Sequence, residues 1–134
     1  MCGIVGFTGP KDKNKLKEMT HSIFHRGPDD DGYIETDNFS IGFRRLAIID
    51  LTSDIYPVTN EDGSIKVVLN GEIYNFKEIK SELENLGHKF SNHTDTEVIL
   101  AAYAQWGTLS FSKLNGMFAF ALWDEINEDL FSDE

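Results

Sequence analysis

The sequence predicts a single α+β domain, residues 1–134, with an antiparallel sheet and helices packed outside it. Three observations support this prediction. The predicted elements run strand, helix, several strands, two helices and strands, with no βαβ alternation and no internal repeat. Asp62-Gly63 separates two strand-like segments, which is typical of a β-hairpin. No linker-like stretch interrupts the chain.

The chain begins with a predicted strand and helix. Residues 3–8 (GIVGFT) predict a short buried strand. Residues 13–25 predict a helix with one apolar face, formed by Leu16, Met19 and Ile23. This helix is therefore expected to pack against the sheet.

A loop and two strands follow the helix. Residues 25–32 (HRGPDDDG) predict a loop, because Pro28 restricts the residue before it and Gly32 permits a turn. Residues 33–37 and 39–50 predict two strands.

The hairpin at Asp62-Gly63 leads to the second half of the chain. Residues 65–74 predict its return strand. A helix is predicted over residues 76–86, with Asn75 as N-cap and Glu78 as the acid at N3.

One more helix and two strands complete the prediction. Thr94 and Glu97 form a capping box for a helix over residues 95–106. Residues 117–123 (MFAFALW) are continuously apolar, which predicts a strand covered on both faces. Residues 129–132 predict a last strand.

Composition limits the function classes. The net charge is −11 and the isoelectric point is about 4.7, so neither nucleic acid nor an anionic membrane is expected as a partner. The single cysteine excludes an intramolecular disulfide, and no Cys/His spacing indicates a metal site. Neither a secretory signal nor an 18-residue apolar run is found, which predicts a cytoplasmic protein that does not span a membrane.

The only thiol, Cys2, stands directly behind Met1. It could be a small apolar residue at the start of a buried strand. Alternatively, removal of Met1 would leave one residue carrying both a thiol and a free α-amine. The two groups have similar pKa values, about 8.5 and about 7.7–8.0, so the amine can serve as the base for the thiol.

Asn70-Gly71-Glu72 interrupts a predicted strand. A turn in a hairpin is one interpretation of Asn-Gly. The other is a bend that presents the Asn70 amide and the Gly71 N–H together, a two-donor oxyanion hole to which glycine gives close access.

Two further charged residues have open interpretations. Arg45 lies among apolar strand residues and could form a surface pair with Arg44, or grip a carboxylate while Arg44 faces the other way. Asp95 could interact with a helix dipole or receive an ammonium group. A thiol, an oxyanion hole, a carboxylate clamp and an ammonium acceptor together would fit glutamine.

Six stretches carry a resemblance to a known family: MCGIVGF, HRGPDDDGY, FRRLAIIDL, NGEIYNF, TDTEVILAAY and LNGMFAFALWD. In their order and approximate spacing they resemble the class II glutamine amidotransferases, which are N-terminal-nucleophile hydrolases. RRLAIIDL and NGEIYNF are most similar to the glutamine-hydrolysing asparagine synthetase branch. The resemblance implies a four-layer αββα sandwich with two largely antiparallel sheets.

The resemblance also implies the site. Cys2 would be the nucleophile, with Asn70 and Gly71 as the oxyanion hole. Substrate-binding roles fall to Arg45, which would clamp the glutamine α-carboxylate, and to Glu72 and Asp95, which would receive the α-ammonium. The loop at 25–28 would support the site without catalysing the reaction.

The implied function is hydrolysis of L-glutamine to glutamate and ammonia, supplied to a synthetase domain that amidates aspartate. We expect the chain to be truncated before that C-terminal domain. ATP and Mg²⁺ are expected only there, and no cofactor is expected for residues 1–134. The expected partners are L-glutamine and the synthetase domain or subunit, with a homodimer as one possible assembly.

Three other functions stay open at the level of sequence. The domain could be catalytically silent and bind glutamine or a subunit. It could be a glutaminase serving another acceptor. It could also be another N-terminal-nucleophile hydrolase, which would not need the Arg45 clamp.

Overall fold

A computed structural model describes residues 2–46, 57–91 and 95–133. Within these ranges the chain forms seven strands and three α-helices. The strands are β1 (Gly3–Thr8), β2 (Asp30–Glu35), β3 (Phe39–Arg45), β4 (Val58–Thr59), β5 (Ile65–Ile73), β6 (Gly116–Asp124) and β7 (Asp129–Asp133). The helices are α1 (Lys13–Ser22), α2 (Phe76–Asn85) and α3 (Asp95–Trp106), with short 3-10 segments at Phe24–Arg26 and Gly107–Lys113.

The strands form two antiparallel sheets. The first has the order β1-β3-β2 and the second the order β4-β5-β6-β7. The two sheets face each other through one apolar layer, which contains side chains of both sheets: Ile34, Phe39, Ile41, Phe43, Val68, Ala121 and Trp123. The sheets therefore stack as the two inner layers of the molecule.

Helices cover the outer faces of both sheets. On the first sheet, α1 packs through Leu16 and Thr20, which are 1% and 0% exposed. On the second, Ile99 and Leu100 of α3 meet the outer side chains of β5 and β6, and α2 packs against α3. The predicted four-layer α+β sandwich with two antiparallel sheets is confirmed.

Strand β6 shows why its sequence is continuously apolar. Phe120 and Leu122 face α3, whereas Ala121 and Trp123 face the other sheet. Because successive side chains of a strand point to opposite faces, a strand buried on both sides needs no polar alternation. The predicted double coverage holds for residues 120–123, whereas Met117 at the start of the run is 74% exposed.

The Asp62-Gly63 turn is confirmed as the hairpin between β4 and β5. Gly63 has φ +74°, a conformation that glycine adopts without steric cost, and its N–H bonds to the Asn60 carbonyl at 3.1 Å. The Asp62 carboxylate accepts the Ser64 N–H at 2.9 Å and fixes the start of β5.

Several predicted boundaries are wrong. Helix α1 ends at Ser22 rather than at residue 25, where the 3-10 segment takes over. Strand β2 starts at Asp30, inside the predicted loop, because its acids pair with the end of β3. Strand β3 ends at Arg45 rather than at residue 50, and residues 47–56 lie outside the described part of the chain.

The two predicted helix caps have different outcomes. Asn75 stands at the N-cap of α2, but its side chain does not cap the helix. The amide instead accepts the Asn115 N–H at 2.9 Å and donates to the Lys113 carbonyl at 2.8 Å. Thr94 lies outside the described residues, and Glu97 accepts the Ser91 N–H at 2.9 Å.

Candidate functional site

Cys2 and Arg45 meet at one end of the layer between the sheets. Cys2 is half-buried and directly precedes β1, whose first residue, Gly3, pairs with Arg44 of β3. Both Cys2 and Arg45 line a small cavity, which is completed by Gly3, Ile4, Phe43, Arg44, Val68 and Leu69. The structure thus brings Cys2 and Arg45, which are 43 positions apart in the sequence, to one cavity.

Arg26 holds the backbone of Cys2 in place. Its Nε donates a hydrogen bond to the Cys2 carbonyl at 3.0 Å. A Cβ on Gly3 would lie 3.3 Å from Cδ of Arg26 and 2.8 Å from Cδ1 of Ile23, so a larger residue there would displace the end of the Ile23 side chain. Arg26 belongs to the loop that we predicted only to support the site, and its contact with Cys2 was missed.

Arg44 is buried rather than solvated. Only 8% of the residue is exposed, although the sequence left a surface arginine pair open. Its Nε donates to the Gly27 carbonyl at 2.8 Å, and its Nη1 lies 3.4 Å from Oδ2 of Asp31. The prediction that Arg44 and Arg45 point to opposite faces agrees with the alternation of side chains along a strand. Each of the two arginines also interacts with other groups of the protein.

Asn70 and Gly71 lie within a strand and not in a turn. In the β5–β6 ladder, Asn70 pairs with Ala119 and Gly71 with Phe118. The hairpin-turn interpretation of Asn-Gly is therefore wrong. Alternation places Asn70 on the same face of β5 as Val68, which is the face toward Cys2 and Arg45.

Gly71 is constrained to be glycine. Its φ is +123°, a value that residues with a Cβ rarely adopt. A Cβ there would also overlap the Met117 carbonyl oxygen on β6. The backbone thus departs from regular strand geometry at Gly71, although no extra residue is inserted into the ladder.

Asp95 is fixed to the end of β5. Its Oδ2 accepts the Ile73 N–H at 3.1 Å, which places the carboxylate beside Glu72. Burial raises the pKa of Asp95, backbone hydrogen bonds from Ile73 and Thr96 oppose that rise, and the nearby charge of Glu72 adds to it. Two carboxylates at one edge of the site favour a bound cation between or beside them.

Strand β5 connects the two parts of this site. Val68 and Leu69 line the cavity of Cys2 and Arg45, and the next three residues along the strand are Asn70, Gly71 and Glu72. Asp95 lies against the strand's last residue. The structure therefore brings Cys2 and Arg45 to one cavity, and it joins Asp95 to the end of the strand that carries Asn70, Gly71 and Glu72.

Residues 2–46, 57–91 and 95–133 contain no group of three or more His, Cys, Asp or Glu side chains arranged to hold a metal ion. In the same ranges, none of the helices has the length and apolarity needed to cross a membrane.

Comparison with known sequences identifies the family. The model of a glutamine amidotransferase domain family matches residues 1–133. Asparagine synthetase [glutamine-hydrolyzing] 1 of Bacillus subtilis is 42% identical over 138 residues, covering 98% of this chain and 22% of that protein. Asparagine synthetase [glutamine-hydrolyzing] 2 of Oryza sativa subsp. japonica is 40% identical over 92% of this chain and 22% of its own length. The chain spans a minor part of these curated relatives.

Solved structures show the same fold. The glutamine phosphoribosylpyrophosphate amidotransferase of B. subtilis superposes with a TM-score of 0.73 at 22% identity, over 93% of this chain and 35% of that one. A structure described as the allosteric regulatory enzyme of purine biosynthesis gives a TM-score of 0.74 at 22% identity, over 93% and 36%. The family match over nearly the whole chain and the shared fold lead to one conclusion: the chain belongs to the glutamine amidotransferase domain family.

Proposed function

We propose that this chain hydrolyses L-glutamine to L-glutamate and ammonia through a γ-glutamyl thioester on Cys2. The observation that carries the proposal is the shared cavity of Cys2 and Arg45, with the Cys2 carbonyl fixed by Arg26 at 3.0 Å. A cavity lined by a cysteine and an arginine would suit a substrate that carries both an electrophilic carbonyl and a carboxylate.

The first half of the reaction forms the thioester. After removal of Met1, the α-amine of Cys2 takes the thiol proton and the sulfur attacks the amide carbon of glutamine. The Asn70 side-chain amide and the Gly71 N–H stabilise the oxyanion. When the carbon–nitrogen bond breaks, the α-ammonium returns its proton to the leaving nitrogen, and ammonia departs.

The second half releases glutamate. The α-amine removes a proton from water, which attacks the thioester carbon, and the same two donors stabilise the second oxyanion. The carbon–sulfur bond then breaks, glutamate leaves, and the thiolate regains its proton from the ammonium. The new γ-carboxyl group loses its proton to ammonia or water as glutamate forms, and the site is ready for another glutamine.

Substrate recognition is assigned to three charged residues. Arg45 would grip the α-carboxylate, for which a planar guanidinium is suited. Glu72 and Asp95 would receive the α-ammonium. An ammonium group beside Asp95 would offset the desolvation and the Glu72 charge that raise the pKa of this carboxyl.

The ammonia would serve an asparagine-synthetase-type domain that amidates aspartate with ATP and Mg²⁺, outside this chain. The curated relatives named above support this proposal through their names. The partners are then L-glutamine and the synthetase domain or subunit, the location is the cytoplasm, and the oligomeric state is open to a homodimer.

The direct test compares glutamate and ammonia production by the wild-type chain and by Cys2→Ala. We expect turnover in the wild type and none above background in the variant. Leu109→Ala is a matched control, because this side chain is 73% exposed and lies on the 3-10 segment after α3. Turnover in Cys2→Ala equal to that of the wild type would overturn the proposal. Glutamine binding without turnover in the wild type would favour the silent binding domain.

A further inference from the structure

A buried arginine on the outer face of the first sheet contacts the segment that holds the nucleophile. Arg44 lies between Gly3 of β1 and Asp31 of β2 in the ladder. Arg44 lines part of the cavity of Cys2 and Arg45, but its guanidinium bonds to Gly27 and Asp31. Strand alternation places the side chains of Phe43 and Arg45 on the opposite face of β3. The guanidinium is therefore engaged by protein groups of the 24–31 segment.

The guanidinium meets the 24–31 segment at three points. Nε donates to the Gly27 carbonyl at 2.8 Å, Nη1 lies 3.4 Å from Asp31 Oδ2, and Cζ lies 4.6 Å from the centroid of the Phe24 ring. These contacts flank Arg26 on both sides in sequence. An arginine fork can satisfy such separate contacts at once, whereas lysine, with one ammonium, cannot.

The backbone of this segment is packed tightly against β3. A Cβ on Gly27 would lie 2.6 Å from the Arg45 nitrogen and 2.7 Å from the Arg44 carbonyl carbon. The Asp29 N–H bonds to the Arg45 carbonyl at 3.2 Å. With so little space, a displacement of the Gly27 carbonyl would carry Arg26 with it.

We infer that Arg44 is a positioning residue for Cys2 and acts through Arg26. Arg44 holds Phe24, Gly27 and Asp31, and these contacts hold the segment that contains Arg26. Arg26 in turn donates a hydrogen bond to the Cys2 carbonyl at 3.0 Å. The inference rests on the proposed glutaminase function, since positioning is defined toward that reaction. Arg44 does not bind glutamine, so its loss should reduce the rate of chemistry and spare affinity.

The test uses Arg44→Met and Arg44→Lys with two rate measurements. The first is glutaminase kcat and KM. The second is the inactivation rate and half-saturation concentration for a glutamine-like diazoketone, which labels the only thiol in the chain. We expect kcat and the maximal inactivation rate to fall about ten- to a hundredfold, as for other small misplacements of reacting groups, while KM and half-saturation stay unchanged.

A double variant tests the route through Arg26. If both arginines act in one chain of contacts, Arg26→Met/Arg44→Met will lose no more rate than Arg26→Met alone. Lys11→Met is the control, because Lys11 is an exposed cation at the other end of the first sheet, paired with Asp37 at 3.6 Å. It should keep the wild-type rates.

Three outcomes would overturn the inference: wild-type kcat and inactivation rate in Arg44→Met, a rise in KM without a fall in kcat, or rate losses that multiply in the double variant. If Arg44→Met does not fold by circular dichroism, Arg44→Lys decides by the same criteria. A wild-type chain that is labelled by the diazoketone but produces no glutamate contradicts the proposed function alone, and the labelling rates still test Arg44.

Discussion

Among the single residues, Asp95 has one structural role and one proposed role in substrate binding. It accepts the Ile73 N–H, which joins α3 to β5, and it stands beside Glu72 in the place proposed for the substrate ammonium. Burial raises its pKa, and Glu72 adds to the rise. Folding therefore favours the protonated form, whereas ammonium binding favours the ionised form.

Replacing Asp95 by Asn separates these two roles. The Asn carbonyl oxygen can still accept the Ile73 N–H, so the fold should be retained. We expect KM for glutamine to rise about tenfold or more, because a charge-assisted hydrogen bond contributes about 1.5–3 kcal/mol. Steady-state kinetics measure this. An unchanged KM would contradict the assignment of Asp95 to the ammonium.

The same variant should change the pH dependence of stability. A carboxyl with a raised folded pKa adds stability that is present below its unfolded pKa and is lost as pH rises through the folded pKa. Chemical denaturation across the acid range should therefore show that Asp95→Asn loses less free energy of unfolding with rising pH than the wild type. A parallel pair of pH curves would contradict the raised pKa.

Asn70 provides a test of the oxyanion hole. Asn70→Ala removes one proposed donor, and we expect kcat to fall on the order of a hundredfold or more with little change in KM. Asn38→Ala, an exposed position in the β2–β3 turn, should leave kcat unchanged. Wild-type kcat in Asn70→Ala would show that the amide is only a structural residue of β5.

The sequence predicted some site residues and missed others for a physical reason. Cys2, Arg45 and Asn70 stand out because polar groups interrupt or precede apolar strands. The roles of Arg26 and Arg44 could not be predicted in this way, because they depend on hydrogen bonds to distant carbonyls. Arg26 bonds to the Cys2 carbonyl, 24 residues away, and Arg44 bonds to the Gly27 carbonyl, 17 residues away. No local spacing encodes such pairings.

At the element scale, Asp124 organises the β6–β7 hairpin. Its Oδ1 accepts the N–H groups of Ile126 and Asn127, and its Oδ2 accepts the Tyr103 hydroxyl at 2.7 Å. Burial would raise the pKa of Asp124, but hydrogen bonds from Tyr103 and Asn127 lower it overall. Burial and this same bond raise the pKa of Tyr103 to about 12.

Asp124→Asn should destabilise the fold by about 1–3 kcal/mol, because at least one of the part-buried hydrogen bonds to this charged group loses its acceptor. Asp37→Asn, at an exposed carboxylate, is the control and should change stability by less than about 0.5 kcal/mol. Denaturant titration measures both. Equal stability of Asp124→Asn and the wild type would contradict the role of the hairpin network.

The pH dependence of this carboxylate has the opposite sign to that of Asp95. With a lowered folded pKa, Asp124 contributes stability that is present above its unfolded pKa and is lost as pH falls through the folded pKa. Below neutral pH, the wild type should therefore lose more stability on acidification than Asp124→Asn does. Identical acid sensitivity of the two proteins would contradict the lowered pKa.

Element types could be predicted more reliably than their ends. The apolar run of β6 and the Asp62-Gly63 turn predicted a doubly covered strand and a hairpin because local chemistry determines both. The capping role of Asn75 failed because its amide finds partners at Lys113 and Asn115, far along the chain. Tertiary contacts thus override a local capping pattern.

At the scale of the whole molecule, the layer between the sheets carries the site at one end. Phe39 of the first sheet and Trp123 of the second stack with ring centroids 4.1 Å apart. The first sheet contributes Arg45 to the proposed site, and its strand β1 directly follows Cys2. The second sheet contributes Asn70 and Gly71. Correct seating of one sheet on the other is therefore a condition for a complete site.

Phe39→Ala tests this coupling. We expect a loss of about 3–5 kcal/mol in the free energy of unfolding, typical for removing a fully buried aromatic ring. Ile126→Ala, at a side chain that is 76% exposed, should change stability by less than about 0.5 kcal/mol. Thermal unfolding measures both, and a near-neutral Phe39→Ala would contradict the described packing.

The order of elements could be predicted from sequence, but the division of strands between two sheets could not. Strand β1 pairs with β3, and only the fold shows that Gly3 stands opposite Arg44. That register is a non-local property, since it depends on which apolar faces meet across the layer. The resemblance to a known family supplied the four layers that periodicity alone left open.

In the proposed reaction Cys2 acts as an N-terminal nucleophile on glutamine. Peptide mass mapping after reaction with a glutamine-like diazoketone tests this claim. We expect a chain that has lost Met1, with one covalent adduct on Cys2 that excess glutamine prevents. Retained Met1, an adduct on another residue, or labelling that glutamine does not prevent would contradict the claim.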